Sequence, residues 1–519
     1  MQTLTTIRPE LLSLSPEQIQ LILPLITMFL GALVAILAAV GKTIQPKWSV
    51  FLVSLGTVLG SLVLSAQLLG RLLEDVSSVP SGGAGLFQTW VLFNGMMVVD
   101  PYSLFFNVLF LVSALVTLLA SLRYLDREQL QHPEYYILVL FACLGMMLMS
   151  SSLDLIVLFV SLELMSLAVY ILVGFRRADR RSNEAAMKYF ILGSVASAVL
   201  LYGSALLYGA TGSTSLGEIF RYAHAHPESL SPLFILGSVL LLLGFLFKVA
   251  AAPFHMWMPD VYEGSPVPVT GFMTTGLKAA AFATLLRVFI MMGYGKGLSN
   301  LFHDHIHQIL WVCAVLTMLI GNLVALTQVN LKRILAYSSI AHTGYLLVGI
   351  LAGAKSELGY APVIFYILMY GLMNLGAFVV LTVIASRGEN NLNFQDLSGF
   401  SQRQPALAFA LAVFLFSMAG IPPTGGFVAK YFLFYSAVQA DEIPLVVISV
   451  LSSAISVYYY LKVLVHMYLK EPVGSAPVVR VSMGSAFALV ALVVLNLQLG
   501  MLPAAVFNLT KKVTVGLLS

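Results

Sequence analysis

The stretch Gly244-Phe-Leu-Phe-Lys248 recurs later in the chain as Gly426-Phe-Val-Ala-Lys430, and each copy places a lysine inside a long apolar segment. Pro253 follows the first copy, and Pro422-Pro423 precede the second. Proline interrupts a helix because it has no N–H to donate to the preceding turn. A lysine at membrane depth costs roughly 2.5–3.5 kcal/mol, so it indicates a function. The two copies therefore predict a duplicated charge-handling device in two interrupted membrane helices.

The composition predicts an all-α polytopic membrane protein. Of the 519 residues, 59% are hydrophobic and only 10% are charged, whereas a soluble protein has about 25% charged residues. Apolar runs of about 18 or more residues recur along the chain, and each is long enough to cross a bilayer. We count about fourteen spans; only Ser150-Ser151-Ser152 and Asp154 mark the turn between the fourth and fifth. The net charge of +4 gives no indication of nucleic-acid binding.

The lysine phrases belong to a larger repeat. They lie 182 residues apart, and the same offset carries Lys278 close to Lys462 and Glu163 close to His342. Each block holds an odd number of helices, so the second copy crosses the membrane in the opposite direction. We therefore predict two inverted five-helix repeats that contain the broken helices. The predicted units are 1–134 with the first three spans, 135–292 and 308–467 as the repeats, and 483–519 with the last span and C-terminus.

Basic residues predict the orientation of the chain. They are concentrated in the loops that follow odd-numbered spans, including the cluster from Arg176 to Arg181. Because cytoplasmic loops carry an excess of lysine and arginine, both termini are expected on the opposite, lumenal or periplasmic side. We interpret the cluster as a topological anchor rather than a site for lipid or a partner.

Four charged residues at membrane depth indicate a proton relay, namely Glu163, Lys248, Lys278 and Lys430. Burial favours the neutral form of each group and pairing favours the charged form, so we expect Glu163 to pair with Lys248. A structural ion pair explains Glu163 and one lysine, but it leaves the other two unexplained. His342 and His255 are further candidates because histidine exchanges protons near neutral pH, although packing roles fit them equally well. Lys462 lies near the end of its span, where it could also extend to the interface.

Other chemistry has little support in the sequence. Cys143 and Cys313 are single residues in apolar spans, so we expect neither a disulfide nor a metal site. His303, His305 and His307 are predicted in a loop and form no four-ligand pattern. Asp260 and Glu263 are predicted to lie in a loop, with a solvated or structural role. We expect this chain to bind no metal or cofactor.

Three stretches resemble the signature of the antiporter-like subunits of complex I. They are Lys248-Val-Ala-Ala-Ala-Pro-Phe-His-Met-Trp-Met-Pro-Asp-Val-Tyr-Glu-Gly-Ser-Pro266, Asn330-Leu-Lys-Arg-Ile-Leu-Ala-Tyr-Ser-Ser-Ile-Ala-His-Thr-Gly344 and Ser417-Met-Ala-Gly-Ile-Pro-Pro-Thr-Gly-Gly-Phe427. Together with the repeat, the resemblance covers nearly the whole chain. The chain is most similar to the N-type subunit 2, because its second broken helix carries a lysine and no long lateral helix follows the fourteenth predicted span. The sequence around the motifs resembles the cyanobacterial and plastid form, which is a subunit of an NAD(P)H-quinone oxidoreductase.

The resemblance implies a role for each relay residue. Glu163 matches the family's glutamate, Lys248 its paired lysine, Lys278 the central lysine, Lys430 the exit lysine and His342 the family's histidine. It further implies a complex that couples electron flow to quinone, plastoquinone in photosynthetic forms, with proton pumping. NAD(P)H or ferredoxin would supply electrons, and iron–sulfur clusters and the quinone pocket would lie in other subunits. The implied partners are those membrane subunits and lipids, in a cyanobacterial thylakoid or plasma membrane.

Three other functions compete with this interpretation. A subunit of a cation/proton antiporter complex would share the fold and the motifs, and sodium dependence without redox subunits would favour it. A self-contained small-solute transporter fits inverted repeats, but the number of buried lysines argues against it. A scaffold that only holds a neighbouring subunit leaves the four buried charges unexplained.

Overall fold

The computed structural model describes residues 15–41, 46–78, 90–226, 229–294, 300–472 and 480–518. The described chain is almost entirely helical, as the composition predicts. The first part contains α1 (Pro16–Val40), α2 (Pro46–Ser78), the antiparallel strands β1 (Val91–Leu92) and β2 (Met97–Val98), and α3 (Pro101–Glu128). The next part contains α4 (Pro133–Ser151), α5 (Leu155–Val173), α6 (Arg180–Thr211), α7 (Leu216–Ala225), α8 (Pro232–Lys248), α9 (Trp257–Gly264) and α10 (Val267–Met291).

The second half repeats this order of long and interrupted helices. It contains α11 (Asn300–Ala325), α12 (Leu331–Gly353), α13 (Ala361–Ile384), the single turn Phe400–Arg403, α14 (Pro405–Ala419), α15 (Gly425–Gln439), α16 (Ile443–Leu469), α17 (Met483–Met501) and α18 (Ala504–Leu518). The inverted relation of the two halves, and the unit boundaries, stay predictions. His305 and His307 lie on α11, so the loop predicted for this region is wrong.

Twelve helices of the described chain are long and apolar enough to cross a membrane. Two shorter apolar helices, α8 and α14, stand at the predicted interruptions. Length and composition alone therefore identify twelve spans, and the count of fourteen stays a prediction. The predicted turn between the fourth and fifth spans is confirmed, because the Asp154 side chain caps α5 by accepting hydrogen bonds from the N–H groups of Ile156 and Val157 at 2.8 and 3.3 Å.

Both interruptions are confirmed, and both are sharp. α8 ends at Lys248, and Ala250 then takes a left-handed backbone conformation with φ 56°. In the second copy, Gly420 with φ 82° ends α14. The first break begins five residues before Pro253, and the chain resumes as α9. Because α9 carries Asp260 and Glu263, the loop predicted for these two residues is wrong.

The centre of the molecule is formed by α10, α12 and α13. The apolar stretches of these helices are 100%, 94% and 94% buried inside the protein. The first unit is joined to this centre by a buried ion pair. Arg287 of α10 donates two hydrogen bonds to Asp100, at 2.8 and 3.0 Å, and both side chains are excluded from solvent. A bidentate arginine–carboxylate pair fixes orientation as well as distance. It therefore locks α10 against the start of α3.

Candidate functional site

Lys248 lies at the end of α8 in a buried pocket beside α5. Its Nζ donates a hydrogen bond to Ser166 Oγ at 2.9 Å and lies 5.9 Å from the centre of the Tyr170 ring. Among the described residues no direct ion pair joins Nζ to Glu163, so the pairing expected from the sequence acts only through space. Glu163 Oε1 is buried without a hydrogen-bond partner, although the carboxylate stays within electrostatic reach of Lys248. Ser166 is therefore the direct partner of the lysine.

The backbone freed by the first break is satisfied from the second half of the chain. Pro253 cannot donate to the carbonyl of Val249, and this carbonyl instead accepts a hydrogen bond from Thr343 Oγ1 of α12 at 2.8 Å. Thr317 Oγ1 of α11 accepts from the N–H of Ala252 at 2.8 Å. A backbone group at membrane depth needs such a partner. Two threonine hydroxyls therefore hold the break open and tie it to α11 and α12.

Lys278 occupies the middle of the molecule. It directly follows a π-helical turn of α10, Met273–Leu277, and such turns are frequent at functional sites. Its Nζ donates to Ser339 Oγ at 2.7 Å and also to the Ser339 carbonyl. Tyr370 OH of α13 donates to the same Ser339 hydroxyl at 2.5 Å. Thr343 donates a longer bond of 3.3 Å to the Ser339 carbonyl, which connects the Lys278 pocket with the first break.

His342 lies between Lys278 and Lys430 on α12 and is 2% exposed. Its Nδ1 is 2.6 Å from Tyr366 OH, and its Nε2 is 3.3 Å from Tyr460 OH. Its ring contacts the rings of three tyrosines at centroid distances of 5.2–5.9 Å, namely Tyr345, Tyr366 and Tyr370. The imidazole therefore meets the hydroxyls of two tyrosines, one on each of its nitrogens.

Lys430 lies on α15 just past the second break. Its Nζ donates to the carbonyls of Met418 and Ala419 at 2.9 and 3.1 Å, and to Ser453 Oγ at 2.9 Å. It also lies 5.4 Å from the centre of the Tyr345 ring, which contacts His342. A cavity of about 390 Å³ opens beside the lysine, lined by residues of the break, of α15 and of α16. This pocket combines a buried charge with freed carbonyls, next to a cavity whose lining is mostly apolar and aromatic.

Two of the candidates lie apart from this set. His255 is in the turn after the first break, where its Nδ1 has no hydrogen-bond partner, and within the described chain no hydrogen bond joins its ring to a lysine. Lys462, the repeat counterpart proposed for Lys278, points away and stacks at 4.3 Å on the Phe394 ring. Tyr460 takes the inner position instead. Within the described residues, no group of histidine, cysteine or acidic side chains could hold a metal ion.

A second charged cluster was missed by sequence reasoning. Glu389, in the loop after α13, accepts hydrogen bonds from Lys332 Nζ and from the N–H of Val267 at 2.8 and 2.9 Å, and from Tyr124 OH. The Arg176 guanidinium lies 3.6 Å from the same carboxylate. Burial alone would raise the pKa of Glu389, but Lys332 and Arg176 outweigh it and hold the pKa below its usual range. Glu389 is therefore ionised.

Sequence analysis also missed the polar side chains that join the lysines, which are Ser166, Thr317, Ser339, Thr343, Tyr366, Tyr370, Ser453 and Tyr460. Two of them, Ser339 and Thr343, stand inside the quoted stretch from Asn330 to Gly344. Their signal was a run of hydroxyl-bearing residues in an otherwise apolar span. His342 and Thr343 come three and four positions after Ser339, so both lie on the face of α12 that carries Ser339.

The fold and the site together define a class: helical membrane proteins whose interrupted helices carry lysines joined through a buried polar axis. The family model described as "NADH:quinone oxidoreductase/Mrp antiporter, TM" matches residues 152–456, more than half of the chain. NADH-quinone oxidoreductase subunit N of Trichlorobacter lovleyi is 44% identical over 420 residues, which cover 81% of this chain and 85% of the relative. The chain belongs to the family of antiporter-like membrane subunits, as an N-type member.

Further comparisons agree with this assignment. NADH-quinone oxidoreductase subunit N 1 of Chloroherpeton thalassium is 47% identical over 379 residues, covering 73% of this chain and 78% of the relative. A chain of respiratory complex I from Thermus thermophilus with bound aureothin is 35% identical with a TM-score of 0.74, covering 94% of this chain and 99% of that one. A chain of the Mrp complex from Dietzia, at 22% identity, TM-score 0.75 and 98% coverage of both chains, shares the fold.

Proposed function

We propose that this chain is a proton-translocating membrane subunit of an NADH-quinone oxidoreductase complex, in which electron transfer to quinone drives proton pumping. The single observation that carries the proposal is the buried polar axis: Lys278 shares a serine and a tyrosine with the surroundings of His342, and the Tyr345 ring lies between His342 and Lys430. Ionisable groups inside a membrane bundle are the usual elements of proton relays. We assign the relay to Glu163, Lys248, Lys278, His342 and Lys430. His255 is included as a peripheral member.

The mechanism begins at the first pocket. Glu163 acts on the Lys248 charge through space and not through a direct bond. A small movement of the carboxylate therefore changes how strongly it stabilises the charged form of Lys248. When a neighbouring subunit draws Glu163 away, the cost of burying the ammonium dominates and Lys248 releases its proton. Ser166, which accepts from Lys248, keeps the lysine side chain in place during this change.

The proton then moves along water toward Lys278 and onward to Lys430. Thr343 and Ser339 lie beside the first part of this path, and Tyr370, Tyr366 and His342 lie beside the second. Hydroxyl and imidazole groups accept a proton on one side and give one on the other, so each keeps its number of protons. Lys430 receives the proton beside a cavity and releases it to the far side.

The redox chemistry belongs to other subunits. The relatives named above are NADH-quinone oxidoreductases, and this supports NADH as the donor and a quinone as the acceptor, with iron–sulfur clusters in partner subunits. We further propose plastoquinone as the acceptor, ferredoxin as the donor, a thylakoid location and lumenal termini. This finer proposal rests only on the sequence around the motifs and on the basic residues of the loops. Donor and quinone preferences of the purified complex test it directly.

The function is tested by proton pumping in sealed vesicles that contain the assembled complex. Lys248→Ala and Glu163→Ala are each expected to abolish or strongly reduce the protons pumped per electron pair, while the complex stays assembled. Lys462→Ala is the matched control, because this lysine stacks on a ring at the end of α16, outside the axis. Undiminished pumping by assembled Lys248→Ala complex would remove the relay assignment.

A subunit of a cation/proton antiporter complex is the second candidate, and the family description and the shared fold of the Mrp complex chain support it. Mild-detergent purification of the tagged chain, followed by mass spectrometry, separates the two. Iron–sulfur and quinone-binding subunits in the purified assembly favour the oxidoreductase. A set of small antiporter subunits with sodium-dependent exchange favours the antiporter.

A further inference from the structure

A buried polar cluster lies between α11, α12 and α16, beside the relay but outside the roles assigned above. Asn322 of α11 stands at its centre. The Asn322 amide nitrogen donates to Ser452 Oγ of α16 at 2.6 Å and to Tyr345 OH of α12 at 3.1 Å. The amide oxygen accepts a hydrogen bond from Tyr459 OH of α16 at 2.9 Å. One side-chain amide therefore ties three helices together at a single point.

The cluster is excluded from solvent, and both ends of the amide have partners. Asn322, Tyr345, Ser452 and Tyr459 are each at most 1% exposed. A buried amide is costly unless it is hydrogen-bonded, and a fully satisfied network specifies one arrangement of its members. The amide therefore fixes where the Tyr345 hydroxyl lies.

Tyr345 carries this constraint to Lys430. The centre of its ring lies 5.4 Å from Lys430 Nζ and 5.6 Å from the centre of the His342 ring. Its hydroxyl lies beside the side chain of Ser453, which accepts a hydrogen bond from Lys430 at 2.9 Å. Both the ring and the hydroxyl of Tyr345 therefore shape the surroundings of the lysine.

The repeat gives the position of Tyr345 a further meaning. The offset of 182 residues that relates Lys248 to Lys430 also relates Glu163 to Tyr345. In the first copy, the Glu163 carboxylate acts on the lysine charge. In the second copy a neutral ring stands at that position, and the hydrogen-bond partners of Lys430 among the described residues are two carbonyls and a serine hydroxyl. Neutral groups therefore take the place of the carboxylate.

We propose that Asn322 is a positioning residue for proton release from Lys430, and that it acts by holding Tyr345 where the first copy has its carboxylate. The proposal rests on the proposed function of Lys430 as a relay lysine. A ring face stabilises a buried ammonium less than a carboxylate does, so Lys430 releases its proton without the removal of an opposite charge. In this step Lys430 passes one N–H proton to water and becomes neutral, while Tyr345 keeps its phenol proton. The same offset relates Asn322 to Leu140, so the first copy lacks the amide.

The proposal is tested by a double-mutant cycle, measured as protons pumped per electron pair by the assembled complex. Asn322→Leu and Tyr345→Phe each break the bond between the amide and the phenol. Each is expected to lower pumping about threefold, and the double variant is expected to lower it no further, because both changes remove one interaction. Tyr459→Phe is the matched control, since it takes an equally buried hydroxyl from the same amide but leaves Tyr345 unchanged.

The outcomes separate a positioning role from a packing role. Matching losses in the two single variants, with normal pumping by Tyr459→Phe, support the assignment. Losses that multiply in the double variant, or an equal loss in Tyr459→Phe, would overturn it. If Asn322→Leu and Tyr345→Phe pump normally while assembled Lys430→Ala complex does not, the positioning role is wrong and the proposed function stands. If Lys430→Ala pumps normally, the proposed function itself fails.

A pH profile tests the exchange of charge directly. Tyr345→Glu gives the second copy the carboxylate of the first, so Lys430 is expected to hold its proton more tightly. The profile of pumping is expected to move by about one pH unit toward higher pH on the release side, relative to Tyr345→Gln, which has the same shape without the charge. The titratable side chains of His342, Tyr431 and Tyr435 beside Lys430 are the same in both variants. Coinciding profiles would overturn the role of Tyr345 as a neutral replacement, and the double-mutant cycle decides alone if the glutamate variant does not assemble.

Discussion

The two interrupted helices begin from nearly the same phrase but satisfy their free backbone in opposite ways. At the first break, the Val249 carbonyl is satisfied by Thr343, a hydroxyl from the other half of the chain. At the second break, Lys430 itself donates to two carbonyls, those of Met418 and Ala419. Lys248 makes no such bond and instead has Ser166 and the nearby Glu163.

The difference indicates a division of labour. A lysine that is not needed to satisfy the backbone is free to respond to a neighbouring carboxylate, and this suits the input end of a relay. A lysine that also closes a helix break is held in place by the two carbonyls it bonds, beside an open cavity. The same interrupted helix therefore supplies a responsive site in one copy and a fixed release site in the other.

Lys430→Ala gives the largest expected effect. It removes the relay lysine and also leaves two carbonyls unpaired at membrane depth, at about 1–3 kcal/mol each. We expect pumping to be lost and the amount of assembled complex to fall, measured by vesicle pumping and by native gel. Lys248→Ala is expected to lose pumping with assembly intact. Equal assembly of both variants would contradict the contrast between the two breaks.

Glu163→Gln sharpens the contrast from the input side. The amide keeps the shape of the side chain but removes the charge that acts on Lys248. We expect pumping to fall several-fold while quinone reduction without a gradient is largely retained. Glu184→Gln is the control, because that carboxylate belongs to an exposed pair with Lys188. Normal pumping by Glu163→Gln would show that the first pocket does not depend on a nearby charge.

Much of this arrangement could be predicted from the sequence. Lysines in apolar spans are costly, so Lys248, Lys278 and Lys430 were found by their rarity alone. Proline marks helix ends, so both breaks were found as well. The repeat offset failed at Lys462, because an offset gives sequence positions and not the direction of a side chain.

The partners of the lysines could not be predicted in the same way. Serine, threonine and tyrosine are common in apolar helices, and serine and threonine often bond to their own backbone, as Thr284 does. Only the packing of α12 against α10 and α13 selects Ser339 and Tyr370 from the many hydroxyls. The ionic cluster at Glu389 was missed for a related reason, because its members are far apart in the chain and each stands in an ordinary loop or helix end.

Thr343→Val tests the first break without touching a charge. The methyl group replaces the hydroxyl at nearly equal volume, and the Val249 carbonyl loses its partner. We expect a loss of about 1–3 kcal/mol in stability, seen as a lower melting temperature, together with partly reduced pumping. Thr284→Val is the matched control, since that buried hydroxyl donates only within its own helix. Equal melting temperatures for the two variants would show that the Val249 carbonyl accepts a hydrogen bond from another donor when Thr343 is replaced.

Ser417→Ala tests the second break and gives the smallest expected effect. The Ser417 hydroxyl accepts a hydrogen bond from the N–H of Gly426 at 3.0 Å, at the start of α15. Its loss leaves one donor unpaired, but Lys430 still bonds to the two carbonyls, so the lysine stays in position. We expect a lower melting temperature with pumping near normal, measured on the same preparations as Thr343→Val. Pumping lost to the extent seen in Lys430→Ala would mean that the helix end, and not the lysine, holds the second break in its working geometry.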